Sequence, residues 1–329
     1  MTIAAVPGFV GNQTSLNPVG PGAEHIAFEF ALIFWITTAV YLLVLLALVL
    51  SVVRRRHLLT KMPDPMPTDP ASDRRATYAV GGAMALSTLL LFTMLIGSFV
   101  TGHALGNMNR EQAYTIDVYG HQWWWEVHYP NDEADKTVVT ANEIHVPVGV
   151  PLRIHGTSRD VIHSFWAPNV QGKRDFMPGY DTDVLMQVDQ PGRWRGQCAE
   201  YCGLQHAHMS FYMVAESKEQ FNQWLEEQAK SSVPAQGDQA VRGQKVFLTH
   251  ACVMCHTIRG TPAGSRVGPD LTHLASRSTI AAGALPNTIG NLAGWIMNAQ
   301  SIKPGCRMPP NQMSGSDLQD LLAYLETLK

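Results

Sequence analysis

The stretch GQCAEYCGLQHAHM, residues 196–209, decides how this sequence is interpreted. Cys198, Cys202, His206 and Met209 follow one another there at spacings of four, four and three residues. Thiolate, imidazole and thioether groups together form a ligand set that selects copper. A mononuclear blue-copper site uses one cysteine, so a second cysteine on the same loop indicates two thiolates that bridge two copper ions. The stretch therefore predicts a dinuclear copper site.

Each copper ion of such a pair needs one terminal imidazole. His206 supplies one, and His163, within DVIHSFW at residues 160–166, is placed on an earlier predicted strand to supply the other. The weak axial positions then fall to Met209 and to the backbone carbonyl of Glu200. These groups complete a predicted site with two thiolates, two imidazoles and two weak axial ligands.

Three alternatives stay open for this loop. Cys198 and Cys202 could form a disulfide outside the cell, or they could hold zinc. A disulfide leaves the nearby histidine and methionine unexplained, and zinc rarely recruits methionine. His208 is a rival to His206, with a surface position as its other interpretation.

The sequence around this loop has the pattern of an all-β domain. Residues 114–118, YTIDV, alternate apolar and polar side chains, and turn-rich breaks follow at short intervals. The pattern predicts a sandwich or Greek-key barrel within residues 107–229, ending in an amphipathic helix from Ser217 to Ala229.

Two long apolar stretches precede the β-domain. Residues 27–53 carry one charged side chain, Glu29, and residues 76–100 carry none, so each is long enough to cross a bilayer core of about 30 Å. The segment between them is rich in arginine, and the positive-inside rule places it in the cytoplasm. We expect an external arm at residues 1–24, followed by a transmembrane hairpin at residues 25–106 with its cytoplasmic loop at 54–75.

The C-terminal part begins after a short Pro- and Gly-containing linker at residues 230–237. It contains CVMCH, residues 252–256, in which Cys252 and Cys255 could add to the two haem vinyl groups while His256 ligates iron. A CxxCH motif can also serve redox or zinc chemistry. Met308, in KPGCRMPP, is the predicted distal ligand, with Met297 and Met313 as rivals. Residues 238–329 are therefore predicted to form an all-α cytochrome domain.

Composition excludes one class of function. The chain has 329 residues, which leaves room for several domains, and a formal net charge of −3. A protein without excess basic charge has no electrostatic footprint for a phosphate backbone, so no nucleic-acid partner is expected.

Three segments together resemble cytochrome c oxidase subunit II: GHQWWWE at residues 120–126, DVIHSFW at residues 160–166, and the copper loop. Residues 238–329 resemble class I cytochromes c, and the fused arrangement looks like the caa3 type of oxidase. The resemblance implies a cupredoxin-like barrel with a CuA centre, a magnesium ion bound by the Glu200 side chain, and electron entry at Trp123. The implied CuA ligands are His163, Cys198, Glu200 through its carbonyl, Cys202, His206 and Met209.

The same resemblance implies the function. The chain would relay electrons from cytochrome c or another respiratory complex, through haem c and CuA, to a catalytic subunit I that reduces oxygen and translocates protons. Subunit III and membrane lipid are further expected partners, and a bacterial inner membrane with both termini outside is the expected location. Two alternatives remain: an electron-input subunit of a nitric oxide reductase, and a membrane-anchored carrier without a catalytic partner.

Overall fold

The computed structural model of the chain describes residues 12–58, 70–106, 112–133 and 136–329. Parts of the predicted N-terminal arm and of the predicted cytoplasmic loop, including Lys61, lie outside these residues. The chain divides into two compact units, a helical unit and a larger unit that holds the β-strands, the remaining helices and the N-terminal segment.

The helical unit consists of two long helices, α1 (Pro21–Leu58) and α2 (Pro70–Gly106). Each is long and apolar enough to cross a membrane. Their large apolar side chains are exposed rather than packed, and burial of such side chains is worth about 25 cal/mol for each Å² removed from water. Their surfaces therefore suit a hydrocarbon environment. Ser98 donates a hydrogen bond to Glu29, which gives the single carboxylate of the first apolar stretch a polar partner.

The β part of the larger unit consists of two five-stranded sheets. One sheet has the order β3-β2-β1-β5-β8 and the other has the order β4-β10-β9-β6-β7. The pairs β1/β5 and β4/β10 are parallel, while the other pairs are antiparallel. This is the expected cupredoxin-like architecture. The strands are β1 (Tyr114–His121), β2 (Trp124–Tyr129), β3 (Val138–Ala141), β4 (Glu143–Pro147), β5 (Leu152–Ser158), β6 (His163–Trp166), β7 (Arg174–Phe176), β8 (Thr182–Met186), β9 (Gly192–Cys198) and β10 (Ser210–Glu216).

Alternating side chains of these strands fill one core between the sheets. Trp125 is fully buried and makes edge-to-face contacts with the rings of Phe165, Phe176 and Phe211. Such aromatic pairs add about 0.5–1.5 kcal/mol each beyond their area burial. Helix α3 (Lys218–Ala229) follows the last strand and begins one residue later than predicted, because Ser217 is its N-cap.

The C-terminal part is helical apart from a small hairpin. Helices α4 and α7 pack closely, because Gly243 lies where a Cβ atom would come within 1.9 Å of the Asp320 carbonyl oxygen. Only glycine permits that approach. The elements are α4 (Asp238–Thr249), the hairpin strands β11 (Thr279–Ile280) and β12 (Leu285–Pro286), α5 (Ile289–Met297), α6 (Ala299–Ile302) and α7 (Gly315–Leu325).

The N-terminal segment is less separate than the predicted arm. Val19 is buried in the β core, and its backbone bonds to Asn169 and Asp189. Asn12 accepts a backbone hydrogen bond of 2.7 Å from Arg195. Residues 12–20 therefore pack on the β part. Helix α1 starts at Pro21 rather than at the predicted residue 25, since proline suits the first turn of a helix.

Candidate metal and haem sites

The predicted copper ligands converge at one end of the β part. His163 begins β6, Cys198 ends β9, and the pairing of Phe165 with Cys198 brings these two strands together. Cys202 and His206 lie on the loop that leads from β9 to β10. The fold therefore gathers residues that lie on separate stretches of the sequence.

Each imidazole faces one sulfur. His163 Nδ1 lies 3.8 Å from Cys198 Sγ, and His206 Nδ1 lies 3.6 Å from Cys202 Sγ. The two Sγ atoms are 3.8 Å apart, whereas a disulfide bond is about 2.05 Å long, and both cysteines are free. Met209 Sδ lies 3.8 Å from Cys202 Sγ.

The backbone carbonyl of Glu200 completes the ligand group, at 3.2 Å from Cys198 Sγ. His163, Cys198, Cys202 and Met209 are all buried. His208 is exposed, and its Nδ1 bonds instead to Gln205 at 2.8 Å. Two soft sulfurs, two imidazoles and a thioether in a shielded site fit a copper pair.

The arrangement of the two thiols favours loss of one proton, from Cys198. The hydrogen bond from Cys202 lowers the pKa of Cys198, and the same bond raises the pKa of Cys202. Ionisation of Cys198 is therefore favoured over ionisation of Cys202. Because metal ligands must be deprotonated, this arrangement favours metal binding.

Asp160 orients His163. Its carboxylate accepts a hydrogen bond of 2.9 Å from Nε2 of His163, which leaves the Nδ1 lone pair directed toward Cys198. Burial raises the pKa of Asp160, but hydrogen bonds from His163 and from the backbone of Gln122 and Val161 outweigh it and lower the pKa to about 2.

The second site is a cavity of about 270 Å³ in the C-terminal part. Cys252 and Cys255 lie at its wall, on and just after the short 3₁₀ turn Ala251–Met254. Met308 also lines it, whereas Met313 packs against the apolar core of the C-terminal part. This placement favours Met308 over Met313 as the distal ligand.

His256 has the tautomer that a haem ligand requires. Its Nδ1 bonds to the carbonyl oxygen of Pro269 at 2.8 Å, and a carbonyl can only accept, so Nε2 keeps its lone pair. Burial lowers the pKa of His256 and keeps the ring neutral. A Cβ atom on Gly268 would come within 2.7 Å of the ring, so glycine allows this close packing. Two free thiols, a neutral imidazole and an apolar cavity fit a covalently held haem.

Residues of the β part and a lysine also line the cavity, and the sequence did not predict that they would. Gln122, Trp123 and Trp124 of the β part line it, together with Lys303. Lys303 stands in the segment singled out for Met308, but no sequence signal distinguished it from a surface lysine, because its partners are backbone carbonyls far away in the sequence.

Trp123 connects the two sites. Its Nε1 donates a hydrogen bond of 2.9 Å to the carbonyl oxygen of Cys202, and its ring lines the cavity. One side chain thus reaches both the sulfur cluster and the predicted haem cavity.

A membrane-anchored electron-transfer protein with a copper domain and a haem domain is the class that this fold and these sites define. Residues 114–217 match the family described as "Cytochrome C oxidase subunit II, periplasmic domain", and residues 240–329 match the family described as "Cytochrome c". The chain belongs to the cytochrome c oxidase subunit II family and carries a fused cytochrome c domain, an arrangement consistent with the caa3 type.

Two relatives and one solved structure are similar to this chain. Cytochrome c oxidase subunit 2 of Alkalihalophilus pseudofirmus is 31% identical over 97% of this chain and 91% of its own length. The protein of the same name from Bacillus subtilis is 30% identical over 67% of this chain and 63% of its own length. The periplasmic domain of cytochrome oxidase subunit II from Bradyrhizobium japonicum is 29% identical, with a TM-score of 0.34, and covers 36% of this chain and 96% of its own.

Membership of this family indicates which complex the chain belongs to and which cofactors its domains bind. The chain is a subunit of a haem-copper oxidase, an oxidoreductase complex that includes a subunit I. Its subunit II domain implies a CuA centre, and its cytochrome domain implies a haem.

Proposed function

We propose that this chain is the electron-entry subunit of a terminal oxidase. Electrons from an external donor pass through the haem and CuA to subunit I, which reduces oxygen to water while the complex translocates protons. The observation that carries this proposal is the position of Trp123, which lines the haem cavity and donates a hydrogen bond to Cys202.

The copper ligands in this proposal are those that converge at the end of the β part. They are His163, Cys198, Glu200 through its carbonyl, Cys202, His206 and Met209. When bound, the copper pair accepts and returns one electron. Burial of the sulfurs excludes water, and the bond from Asp160 holds one imidazole in place, so little of the site has to move as the charge changes.

Cys252 and Cys255 would hold the haem covalently, and His256 Nε2 and Met308 Sδ would bind its iron. When bound, the haem carries one electron, and a thioether ligand raises its reduction potential. Pro269 fixes the orientation of His256 through the hydrogen bond to Nδ1. Gly268 leaves room for the ring.

Further partners follow from the same proposal. The Glu200 side chain, which is half-buried, coordinates magnesium at the contact with subunit I. Subunit III and membrane lipid surround the two apolar helices, and cytochrome c or another respiratory complex is the donor. The complex lies in a bacterial inner membrane with both termini and both soluble domains outside, because the arginine-rich loop stays in the cytoplasm.

The test removes the copper sulfurs and leaves the haem. In a Cys198→Ser, Cys202→Ser double variant that assembles, we expect normal haem reduction by an external donor and oxygen uptake at background. The control is Val241→Ser, which introduces a serine at an exposed position of α4 away from both sites and should retain most oxygen uptake. Near-normal oxygen uptake by the double variant would show that electrons bypass copper, and the serial path would be wrong.

A further inference from the structure

A lysine is buried where the C-terminal part packs on the β part. The side chain of Lys303 is only 2% exposed. Its Nζ donates three hydrogen bonds to backbone carbonyl oxygens: to Trp123 at 2.8 Å, to His208 at 2.9 Å and to Ala281 at 3.2 Å. Trp123 and His208 belong to the β part, so one ammonium group joins the two parts of the unit.

The carbonyl of Ala281 is presented by an unusual turn. Ala281 and Ala282 have φ values of 55° and 58°, a left-handed conformation that costs a non-glycine residue about 1 kcal/mol or more. Ser210 of β10 holds the turn from the other side, since its backbone N–H and its hydroxyl both donate to the Ala282 carbonyl, at 3.1 Å and 2.8 Å. Gly283 follows, where a Cβ atom would come within 2.4 Å of Ser210 Oγ. The contacts between the two parts thus keep the turn in this conformation.

The residues after Lys303 pack on the copper loop. The carbonyl of Pro304 accepts a hydrogen bond of 2.7 Å from Gln205. Gly305 lies against Leu204, where a Cβ atom would come within 2.9 Å of its side chain. Cys306 packs against the core of the β part. The segment that ends at Met308 therefore lies on the loop that carries Cys202 and His206.

From this geometry we infer that Lys303 is a positioning residue, which fixes the haem-binding part against Trp123 and the copper loop so that electrons pass in one docked arrangement. The inference rests on the proposed relay and deepens it. A cytochrome domain attached only through its linker would sample many orientations, and electron transfer would wait for a productive one. A fixed contact through Lys303 removes that wait.

The chemistry of the contact supports positioning over general stabilisation. Burial of an ammonium group is unfavourable unless hydrogen bonds compensate for the lost water. Well-packed apolar residues stabilise an interface as well or better, so stability alone does not account for a buried ammonium group. Three carbonyls that converge on one donor define a single orientation. One of these carbonyls belongs to Trp123, so the contact also fixes the position of the residue that lies between the two sites.

The test replaces the ammonium group and keeps the length of the side chain. Lys303→Met is compared with wild type in the assembled, copper- and haem-loaded oxidase. Lys303→Arg keeps a positive donor, and Lys245→Met is the matched control, because Lys245 is an exposed lysine of the same part. Two quantities are measured. One is the rate of electron transfer from photoreduced haem to copper, and the other is hydrogen exchange of the Ser210 amide and of residues 279–285.

We expect Lys303→Met to slow electron transfer at least about tenfold and to speed exchange in these segments by a similar factor, because a hydrogen bond to a charged donor is worth a factor of that order. Because Lys303 also lines the haem cavity, the control readout is retention of the thioether-to-iron band, which shows that the iron ligands are still in place. Lys303→Arg should recover part of both effects, and Lys245→Met should match wild type. If Lys303→Met does not accumulate, Lys303→Gln, which keeps two N–H donors, carries the same test.

Two results would overturn the inference. One is a Lys303→Met oxidase with the wild-type transfer rate, whether or not exchange increases, since the lysine would then be structural only. The other is a changed haem spectrum with slow transfer, which would show a damaged haem site. If wild type itself transfers no electron from haem to copper, the proposed relay is refuted as well, and this outcome is distinguishable because it does not depend on the variants.

Discussion

Trp123 donates its indole hydrogen to the carbonyl oxygen of Cys202 at 2.9 Å, and the same carbonyl accepts from the side chain of Gln122 at 2.9 Å. Gly203, with φ at 111°, lies beside the indole, where a Cβ atom would come within 3.0 Å of it. The tryptophan is therefore held by a polar bond and by close packing on the loop that carries the copper sulfurs.

Loss of the hydrogen bond between Trp123 and Cys202 should slow electron transfer and leave copper binding intact. Trp123→Phe keeps an aromatic ring but removes the hydrogen bond to Cys202, so we expect electron transfer from haem to copper to fall about tenfold or more while copper content stays full. Flash photolysis measures the rate. Trp224→Phe is the matched control, since Trp224 packs on His145 at α3. Equal rates in the two variants would contradict a role for Trp123.

Asp160 should control copper affinity through His163. In Asp160→Asn, the partner of Nε2 loses its charge, and such changes near a metal ligand typically cost 10–100-fold in affinity. Competition with a copper chelator measures the effect. Asp183→Asn is the matched control, because Asp183 makes an equivalent bond of 2.9 Å to His155 on another strand. Unchanged copper affinity in Asp160→Asn would show that the ligand loop alone orients the site.

The distal haem ligand can be decided by two parallel variants. Met308 lines the cavity and Met313 packs against the core, so Met308→Ala should abolish the thioether-to-iron absorption band of ferric haem. Met313→Ala should keep the band and lose some stability, by less than the roughly 2–5 kcal/mol typical of a fully buried methionine, because Met313 is only partly buried. The opposite pattern of bands would assign the ligand to Met313.

Local motifs carried most of what the sequence could predict. The cysteine spacing that identifies the copper loop and the CVMCH stretch are contiguous, and their chemistry does not depend on distant residues. The apolar stretches and the alternation at residues 114–118 likewise predict helices and strands by periodicity. The cupredoxin-like architecture was expected from the family resemblance, and the two sheets confirm it.

The contacts between the C-terminal part and the β part could not be predicted from local motifs. Lys303 bonds to backbone carbonyls, which every residue has, so no side-chain pattern marks its partners. Trp124 and Cys306 acquire their contacts from the docking of the two parts. Residues 12–20 lack apolar periodicity, yet Val19 enters the β core through backbone pairing with Asn169.

Glu126 should make the β part sensitive to acid. Its carboxylate accepts hydrogen bonds from His121 at 2.8 Å and from His128 at 2.7 Å. Burial raises the pKa of Glu126, but these bonds and charges outweigh burial and lower the pKa from 4.5 to about 2. A carboxyl whose pKa is lower in the folded state contributes stability above its unfolded value, and that contribution is lost as pH falls toward the folded value.

The expected result is a pH-dependent difference between wild type and Glu126→Gln. At pH 7 the variant should be less stable by on the order of 1–2 kcal/mol, less than the full pKa change implies because solvent screens a partly exposed pair. The difference should begin to shrink as pH falls below 4.5, and most of it should be lost at about pH 2, where wild-type Glu126 is protonated in the unfolded state and half protonated in the folded state. Denaturant unfolding of the copper-free chain, followed by tryptophan fluorescence, measures this difference in stability.

Glu133→Gln is the matched control, because Glu133 pairs with Lys136 on the surface. Its stability should stay within about 0.5 kcal/mol of wild type at every pH. A Glu126→Gln difference that stays constant from pH 7 to pH 2 would show that the side chain acts through packing, and the ionised carboxylate would have no role.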